Sequence, residues 1–412
     1  MITPEALVDA VREAIAQLDP SDLVEAALGE PPAGDGRVRV IAAGKAAFAL
    51  ATGAIRRWGS RVDDVLAVGT EDLDDGPLAR AARITAVTAI RAGHPLPDAR
   101  SEQAAREALR RARELEAGDV LLVLVSGGAS ALLAHAAEGA SLPRKAALVA
   151  ALLAAGAPIE AVNLVRRHVS RIKGGRLARA AGAAEVRTLL LSDVVGGAPW
   201  DLGSGPSTAD PTRVEEARAA LQTFAPTFAA EAACWLDESL KPGERADPAP
   251  RTLADPDALA HAVASRLRAR GLDATALPGE RGPVEAIAAA RANAARSLPA
   301  GCAIVIPCEP TVALPATRGR GGRAGRTALI AAAALPEGVA LLCAATDGVD
   351  GSSGAAGALV TRAALDAVPR ALVDAAIAAY DDAPLHRRLG TAVDLGPTGT
   401  NLTDVHVLAR LA

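Results

Sequence analysis

Residues 119–130 read DVLLVLVSGGAS, an apolar run that ends in a glycine pair flanked by serines. The near-continuous apolar run 119–125 predicts a β-strand buried on both faces, as strands of parallel sheets are. Further strands are predicted at 37–43, 62–68, 84–90 and 186–191, and a helix at 101–116. Strands that alternate with helices form parallel βαβ units, in which ligands bind outside the carboxyl ends of the strands. The sequence therefore predicts an α/β enzyme whose strand-end turns face one crevice.

The stretch 241–256, KPGERADPAPRTLADP, is rich in proline and charge and has no periodicity, which is typical of a connection between domains. We therefore expect domains at 1–240 and 257–412. The second, smaller one is predicted to be another α/β unit. Its predicted helices are 257–270 and a second one ending at 297, and its predicted strands are 272–277, 303–306 and 339–345.

The composition favours small-molecule chemistry. A formal net charge of -4 offers no basic surface for nucleic acid, and no apolar run reaches the roughly 18 residues that span a bilayer. The N-terminal residues 1–19 form an amphipathic helical pattern without the features of a signal peptide. The four cysteines form no CxxC pair, so they are expected to be buried thiols. We expect a cytoplasmic protein without a nucleic-acid or membrane partner.

Three common enzyme motifs are absent or weak. Lys45 follows Gly44, but Arg39 stands where a Walker A loop has its first glycine. The series Gly319-x-Gly321-x-x-Ala324 matches a dinucleotide fingerprint only nominally, because no strong apolar strand precedes it directly. The GxSxG elbow of hydrolases does not occur.

Polar groups follow three of the predicted strands of the first domain. The turn 125–130 offers backbone N–H groups and the hydroxyls of Ser126 and Ser130, a combination suited to phosphate, although any tight βα turn favours glycine. Lys45 would add a point charge at the same edge, or be a solvated lysine. Asp193 could take the proton of an attacking hydroxyl, hold Mg²⁺ or cap its turn. Lys173 lies beside a glycine pair and is a candidate anion ligand, although a basic helix face is usually solvated.

The second domain carries three further polar loops. The arginine-glycine loop 318–323 is suited to binding carboxylate or phosphate in a bidentate manner. The loop TDGVDG, 346–351, places Asp347 and Asp350 three residues apart and could bind a divalent ion. In the turn GPTGTN, 396–401, Asn401 could contact a ligand or complete the turn.

The ordered set of motifs resembles the glycerate 2-kinase family with a C-terminal MOFRL domain over nearly the whole chain. The motifs are VIAAGKAA, AGHPLPD, VLVSGGASALL, NLVRRHVSRIKGGRLA, LLLSDVVGG, GSGPSTADPT, GRGGR, TDGVDG and GPTGTN. The resemblance implies a Rossmann-like parallel sheet in the N-terminal domain, a smaller α/β domain of the MOFRL type, and an active site in the cleft between them. It also implies ATP and Mg²⁺ as cofactors and D-glycerate as the acceptor, phosphorylated at its 2-hydroxyl.

Roles for individual residues follow from the same resemblance. The implied catalytic residues are Lys45, Asp193 and Arg323. The implied ATP- or phosphate-binding residues are Ser126, Gly127, Gly128, Ser130, Lys173, Gly321 and Gly322. The implied substrate-binding residues are Glu309, Thr311 and Asn401, and the implied metal ligands are Asp347 and Asp350.

Two departures from the family pattern leave other functions open. The segment 307–312, PCEPTV, lacks the family's glycine pair, and Ala324 and Arg326 replace its Asn and Glu. The alternatives are a kinase for another small hydroxy acid, a hydroxypyruvate reductase and a ligand-binding protein without activity. A homodimer is also left open.

Overall fold

The computed structural model describes residues 2–71, 73–74 and 76–411, which alternate between helices and strands along most of the chain. The helices are α1 (Glu5–Gln17), α2 (Pro20–Ala27), α3 (Ala47–Trp58), α4 (Gly76–Ala81), α5 (Ala99–Arg113), α6 (Ala129–Leu132), α7 (Leu142–Ala154), α8 (Ile159–His168), α9 (Arg176–Ala180), α10 (Val214–Phe224), α11 (Pro226–Ala232), α12 (Pro256–Ala269), α13 (Val284–Ser297), α14 (Arg323–Ala332), α15 (Arg362–Asp366), α16 (Arg370–Ala379) and α17 (Asp382–Leu389). The strands are β1 (Val38–Ala43), β2 (Asp64–Gly69), β3 (Ala86–Arg91), β4 (Val120–Ser126), β5 (Glu185–Leu191), β6 (Arg251–Ala254), β7 (Asp273–Ala276), β8 (Glu280–Pro283), β9 (Cys302–Thr311), β10 (Val339–Ala345), β11 (Gly357–Thr361), β12 (Ala392–Val393) and β13 (Asp404–Arg410). Among the helices of these residues, none is long and apolar enough to cross a membrane.

The chain divides into two compact units. The N-terminal unit comprises 20–192 and 197–253, and the C-terminal unit comprises 2–19, 193–196 and 254–411. Helix α1 belongs to the C-terminal unit because it packs on α12, with an ion pair between Glu13 and Arg270 just beyond that helix. The domain ranges 1–240 and 257–412 remain predictions, and their end residues 1 and 412 lie outside the described part of the chain.

The N-terminal unit contains a six-stranded sheet of Rossmann order, β3-β2-β1-β4-β5-β6. The pairings β1–β2, β2–β3, β1–β4 and β4–β5 are parallel, and every residue of β4 is buried. The predicted parallel α/β sheet is therefore confirmed, with strand ends shifted by a few residues. Within the predicted connection, residues 251–254 form the additional edge strand β6.

The C-terminal unit contains a mixed sheet in the order β12-β11-β10-β13-β9-β7, with β8 paired to β9. Strands β9 and β10 both pair antiparallel with β13, which lies between them, so β9 and β10 run in the same direction. The predicted second α/β unit is confirmed, although β11 and β13 are not apparent from the sequence pattern. The buried alanines Ala324, Ala328 and Ala332 let α14 lie close to Leu341 and Val360 of the sheet, since the alanine side chain is short.

We expect Leu122→Ala in β4 to lower the free energy of unfolding by about 2–5 kcal/mol, because it leaves a cavity in a packed interior. Leu122 is 0% exposed, whereas Leu153 on α7 is 51% exposed and provides the matched control Leu153→Ala. Urea unfolding followed by circular dichroism measures both. Equal losses in the two variants would contradict this account of the core.

Candidate active site

In the N-terminal unit, the turns that follow β1 and β4 are joined by hydrogen bonds. The backbone N–H of Lys45 donates to the carbonyl oxygen of Gly127 at 2.8 Å. The N–H of Ala46 donates to Oγ of Ser126 at 3.0 Å. The strands are neighbours in parallel register, so the structure brings Lys45 and the 126–128 turn together at one edge of the sheet.

Two glycines allow this close approach. A Cβ atom on Gly44, which has φ +130°, would lie 2.1 Å from Oγ of Ser126. Gly128 has φ +86°, and a Cβ there would lie 3.2 Å from Cδ2 of His94 and 3.4 Å from Cγ of Lys45. The side chains of His94 and Lys45 therefore both lie against the 126–128 turn. Sequence reasoning gave His94 no role, and its place in the AGHPLPD motif after β3 was the available signal.

The two serines of this region bond within the protein. Ser126 is completely buried and accepts the N–H of Ala46, so its hydroxyl fixes the turn. Oγ of Ser130 lies 3.0 Å from Oγ of Ser204. Ser204 stands between Gly203 and Gly205, and all three have φ near +60°. Their roles in phosphate binding remain predictions.

Lys173 is buried rather than solvated, with 2% of its surface exposed. Its Nζ donates to the carbonyl oxygens of Leu133 and Gly203, both at 3.2 Å. Burial, together with the positive charges of Lys145 and Arg166, holds the pKa of Lys173 well below its ordinary value. The interpretation as a solvated basic face is therefore wrong for this residue.

In the C-terminal unit, Arg323 begins α14 and is held by a buried carboxylate at the start of β13. Its Nε and Nη2 donate to the two oxygens of Asp404 at 2.7 and 2.9 Å. Asp404 is 1% exposed, whereas the Arg323 side chain remains partly exposed. Burial would lower the pKa of Arg323, but the charge of Asp404, aided by Glu309 and Asp350, raises it. Arg323 is thus a permanently charged, oriented guanidinium.

Asp193 and Asn401 meet within the C-terminal unit, where Nδ2 of Asn401 donates to Oδ2 of Asp193 at 2.7 Å. The turn that carries Asn401 is anchored by Thr398, whose hydroxyl donates to the carbonyl oxygen of Thr346 at 2.6 Å. The Asn401 amide therefore fixes one oxygen of the Asp193 carboxylate, next to the loop that contains Asp347.

The two predicted metal ligands have different surroundings. Asp350 is 1% exposed, and its oxygens accept the N–H groups of Ala324 at 3.0 Å and Gly325 at 2.8 Å, so it binds the N-terminus of α14. Burial, with the nearby charge of Asp404, raises the pKa of Asp350 to about 7. Asp347 is less buried, and its Oδ1 accepts the N–H of Val349. Across the described ranges no group of three or more His, Cys, Asp or Glu side chains is arranged to hold a metal ion.

The glycines of the arginine-glycine loop are packed against carboxylates. A Cβ on Gly321 would lie 2.1 Å from Oδ1 of Asp382, and one on Gly322 would lie 2.1 Å from Oδ1 of Asp350. These contacts explain why glycine is required at both positions. A role for Gly321 and Gly322 in binding phosphate remains a prediction.

The family models and the relatives that match this chain point to one family. A model described as "Domain of unknown function (DUF4147)" matches residues 6–236, and the MOFRL family model matches 302–404. A D-glycerate 2-kinase of Thermotoga maritima is 30% identical over 98% of this chain and 99% of its own. This chain belongs to the glycerate 2-kinase family. The crystal structure of a glycerate kinase from Thermotoga maritima aligns with a TM-score of 0.86 at 28% identity, covering 99% of each chain.

Another relative in this family has a different name. A protein of Agrobacterium vitis named "Putative hydroxypyruvate reductase" is 37% identical over 96% of this chain and 92% of its own. The relatives of this chain thus carry the names of two activities, a kinase and a reductase.

The two residues of α14 that depart from the family pattern, Ala324 and Arg326, have local surroundings that account for them. The side chain of Ala324 is completely buried. Arg326 donates to Glu285 at 3.3 Å and to the carbonyl oxygen of Ile377 at 2.8 Å, and its guanidinium lies 3.8 Å from the centre of the Tyr380 ring. The positive charge of Arg326 therefore has its own partners, separate from the Arg323–Asp404 pair.

The predicted substrate residues Glu309 and Thr311 lie at the carboxyl end of β9. Glu309 pairs with Arg281 at 3.2 Å, and Thr311 is exposed. Pro307 precedes Glu309, and Pro310 lies between Glu309 and Thr311, both within the strand. Their contact with substrate, like the location of the active site in a cleft between the domains, remains a prediction.

We expect Asp382→Asn to stabilise the protein relative to wild type increasingly as the pH rises from 4 to 7. Burial raises the pKa of Asp382 to about 6, whereas an unfolded chain has a carboxyl pKa of about 3.9. Ionisation of Asp382 therefore opposes folding, an effect that is absent below about pH 4 and complete above about pH 6. The difference amounts to something on the order of 3 kcal/mol.

Denaturant unfolding at several pH values measures this difference, with Asp366→Asn on the exposed surface of α15 as the control. An equally steep trend in the control, or a flat one in Asp382→Asn, would contradict the assignment.

Proposed function

We propose that this protein is an ATP-dependent kinase that phosphorylates D-glycerate at its 2-hydroxyl group. The observation that carries the proposal is the similarity to the Thermotoga maritima D-glycerate 2-kinase, which extends over 98% of this chain. Two cations also support it: Lys45 lies in the turn after β1, and Arg323 begins α14. Phosphoryl transfer depends mainly on positioning and on the stabilisation of charge, which such cations provide.

The proposal assigns the phosphoryl group to these two cations. Lys45 lies against the 126–128 turn, where its ammonium group would stabilise charge that develops on the phosphoryl oxygens. Arg323 uses Nε and Nη2 to hold Asp404, and Nη1 is the nitrogen assigned to a phosphoryl oxygen. Because Asp404 fixes the plane of the guanidinium, Arg323 would bind with little loss of side-chain entropy.

Asp193 is assigned to the acceptor hydroxyl. One of its oxygens accepts the amide of Asn401, and the other would accept the hydroxyl proton as the oxygen attacks the γ-phosphorus atom in line with the departing ADP. Mg²⁺ bound to the phosphates would neutralise part of their charge. Asp347 is the ligand that we assign to this ion, since Asp350 is engaged by the start of α14.

Reduction of hydroxypyruvate is the second candidate, favoured by the name of the Agrobacterium vitis relative. The surroundings of residues 319–324, which match a dinucleotide fingerprint only nominally, argue against a reductase. This segment precedes α14 beside a mixed sheet, and its glycines face the carboxylates of Asp382 and Asp350. A dinucleotide pyrophosphate is bound by the N–H groups at the start of the helix, and at α14 those of Ala324 and Gly325 already donate to Asp350.

A direct assay separates the candidates. With ATP, Mg²⁺ and D-glycerate we expect phosphorus NMR to show ADP and 2-phosphoglycerate, without NADH consumption when hydroxypyruvate is supplied. 3-Phosphoglycerate as the product would correct the site of transfer. NADH oxidation without phosphoglycerate would identify a reductase, and neither reaction would identify a binding protein.

We expect Lys45→Ala to reduce kcat at least about a hundredfold, because one preorganised charge at the phosphoryl group is lost. Lys241→Ala is the matched control, since Lys241 belongs to the same unit and its Nζ contacts Glu238 and Ser239. Coupled ADP-release kinetics measures both variants, and circular dichroism verifies that they are folded. Turnover of Lys45→Ala comparable to wild type would refute the role of Lys45.

A further inference from the structure

Three cations of the N-terminal unit, Lys145 on α7, Arg166 on α8 and Lys173 ahead of α9, form what we call the cation cluster. Lys145 is 5% exposed and Lys173 is 2% exposed. Burial lowers the pKa of both lysines, the charge of Arg166 lowers both further, and the charge of Lys145 also lowers the pKa of Lys173. The chain thus brings two buried ammonium groups close to the half-buried guanidinium of Arg166.

Among the described residues, the side-chain nitrogens of the cluster donate hydrogen bonds only to neutral oxygen atoms. Nζ of Lys145 makes no hydrogen bond to any of them. Nζ of Lys173 donates to two backbone carbonyl oxygens, and Nη1 of Arg166 donates to the amide oxygen of Asn163 at 3.2 Å. The cluster therefore holds ammonium and guanidinium donors without a carboxylate.

Neighbouring arginines in the same segment do have carboxylate partners. Arg167 lies 3.3 Å from Asp201 and 3.0 Å from Asp210, and Arg176 lies 3.3 Å from Asp237. The local fold thus supplies acids to these two cations and not to the cluster. The difference is specific to Lys145, Arg166 and Lys173 and is not a property of the segment as a whole.

A purely structural role does not account for Lys145. Burial of an unpaired ammonium group is unfavourable, and a methionine or leucine would fill the same space without that penalty. Burial, with the charges of Arg166 and Arg176, lowers the pKa of Lys145 to about 7, so the amine is readily neutralised when no anion is present. A bound anion would satisfy its donors and restore its charge.

The cluster adjoins the segment that begins at the 126–128 turn. The carbonyl oxygens bound by Lys173 belong to Leu133, just after α6, and to Gly203. A Cβ on Gly203 would lie 3.0 Å from Cβ of Ala129, the first residue of α6. A small anion bound to the cluster would therefore be held beside the residues that follow β4.

We propose that the cation cluster binds the carboxylate group of the hydroxy-acid acceptor. This inference rests on the proposed function, since that function supplies an acceptor with a carboxylate. The planar guanidinium of Arg166 can hold two oxygens of a small anion, and the ammonium groups add charge at close range. A carboxylate is favoured over phosphate because the nucleotide phosphates already have Lys45 as their assigned cation in the same unit.

The test measures binding of D-glycerate, without ATP, to the full-length protein by isothermal titration calorimetry. We expect Lys145→Met to weaken the affinity about tenfold or more, because a charge-assisted hydrogen bond in a buried place is lost. Methionine keeps the length and apolar stem of the lysine. Arg144→Met is the matched control, because Arg144 is the neighbouring residue on α7 but pairs with Glu231 at the surface. Its affinity should equal that of wild type.

Two further arms make the result decisive. We expect Arg166→Gln to weaken D-glycerate binding in the same way. This variant replaces Lys145→Met if circular dichroism shows that Lys145→Met is unfolded. Inorganic phosphate is titrated into each protein as the second probe. If the variants lose affinity for phosphate but not for D-glycerate, the carboxylate assignment is overturned. The same holds if both variants bind D-glycerate as tightly as wild type, or if wild type does not bind D-glycerate at all.

The kinase assay is read separately. If wild type forms no phosphoglycerate but Lys145→Met loses D-glycerate affinity, the cluster is the carboxylate site and phosphoryl transfer is refuted. If wild type is an active kinase and both variants keep its D-glycerate affinity and KM, the kinase stands and the carboxylate site is refuted.

Discussion

The parallel pairing of β1 with β4 is the constraint on which the N-terminal part of the candidate site depends. Parallel neighbours end at the same edge of a sheet, so the turn after β1 and the turn after β4 must share one small space. The backbone bond from Lys45 to Gly127 closes that space, and only a residue without a side chain fits at Gly44. The position of the lysine is thus set by backbone geometry.

In the C-terminal unit, antiparallel strand pairing positions a cation in a similar way. Strand β13 runs between β9 and β10, so its first residue, Asp404, lies at the edge where those two strands end. Helix α14 begins at that edge with Arg323, and the carboxylate of Asp404 holds the guanidinium there. In both units a cation is placed by the ends of strands, and in both the neighbouring glycines are required by close contacts.

The sequence predicts those features that depend on neighbours along the chain. The apolar run of β4 and the glycine pair after it are local signals, so the strand, its turn and the edge that it shares with Lys45 could be predicted. The partner of Asp350 could not, because the N–H groups of Ala324 and Gly325 come from a distant helix start. The burial of Lys173 was missed for the same reason, since a basic helical pattern is ordinarily solvated. Strand β13 is as long as β4, but Asp404, His406 and Arg410 interrupt its apolar run, so its pattern is weaker.

The position of β13 has a consequence for biosynthesis. Because β13 lies between β9 and β10, which are both translated before it, the C-terminal sheet cannot close until β13 has left the ribosome. Helix α1 is translated long before α12, the helix on which it packs, so that contact forms only after α12 has been made. The parallel sheet of the N-terminal unit is complete once β6 has been translated, so it can assemble before Asp404, the carboxylate that orients Arg323, is put in place.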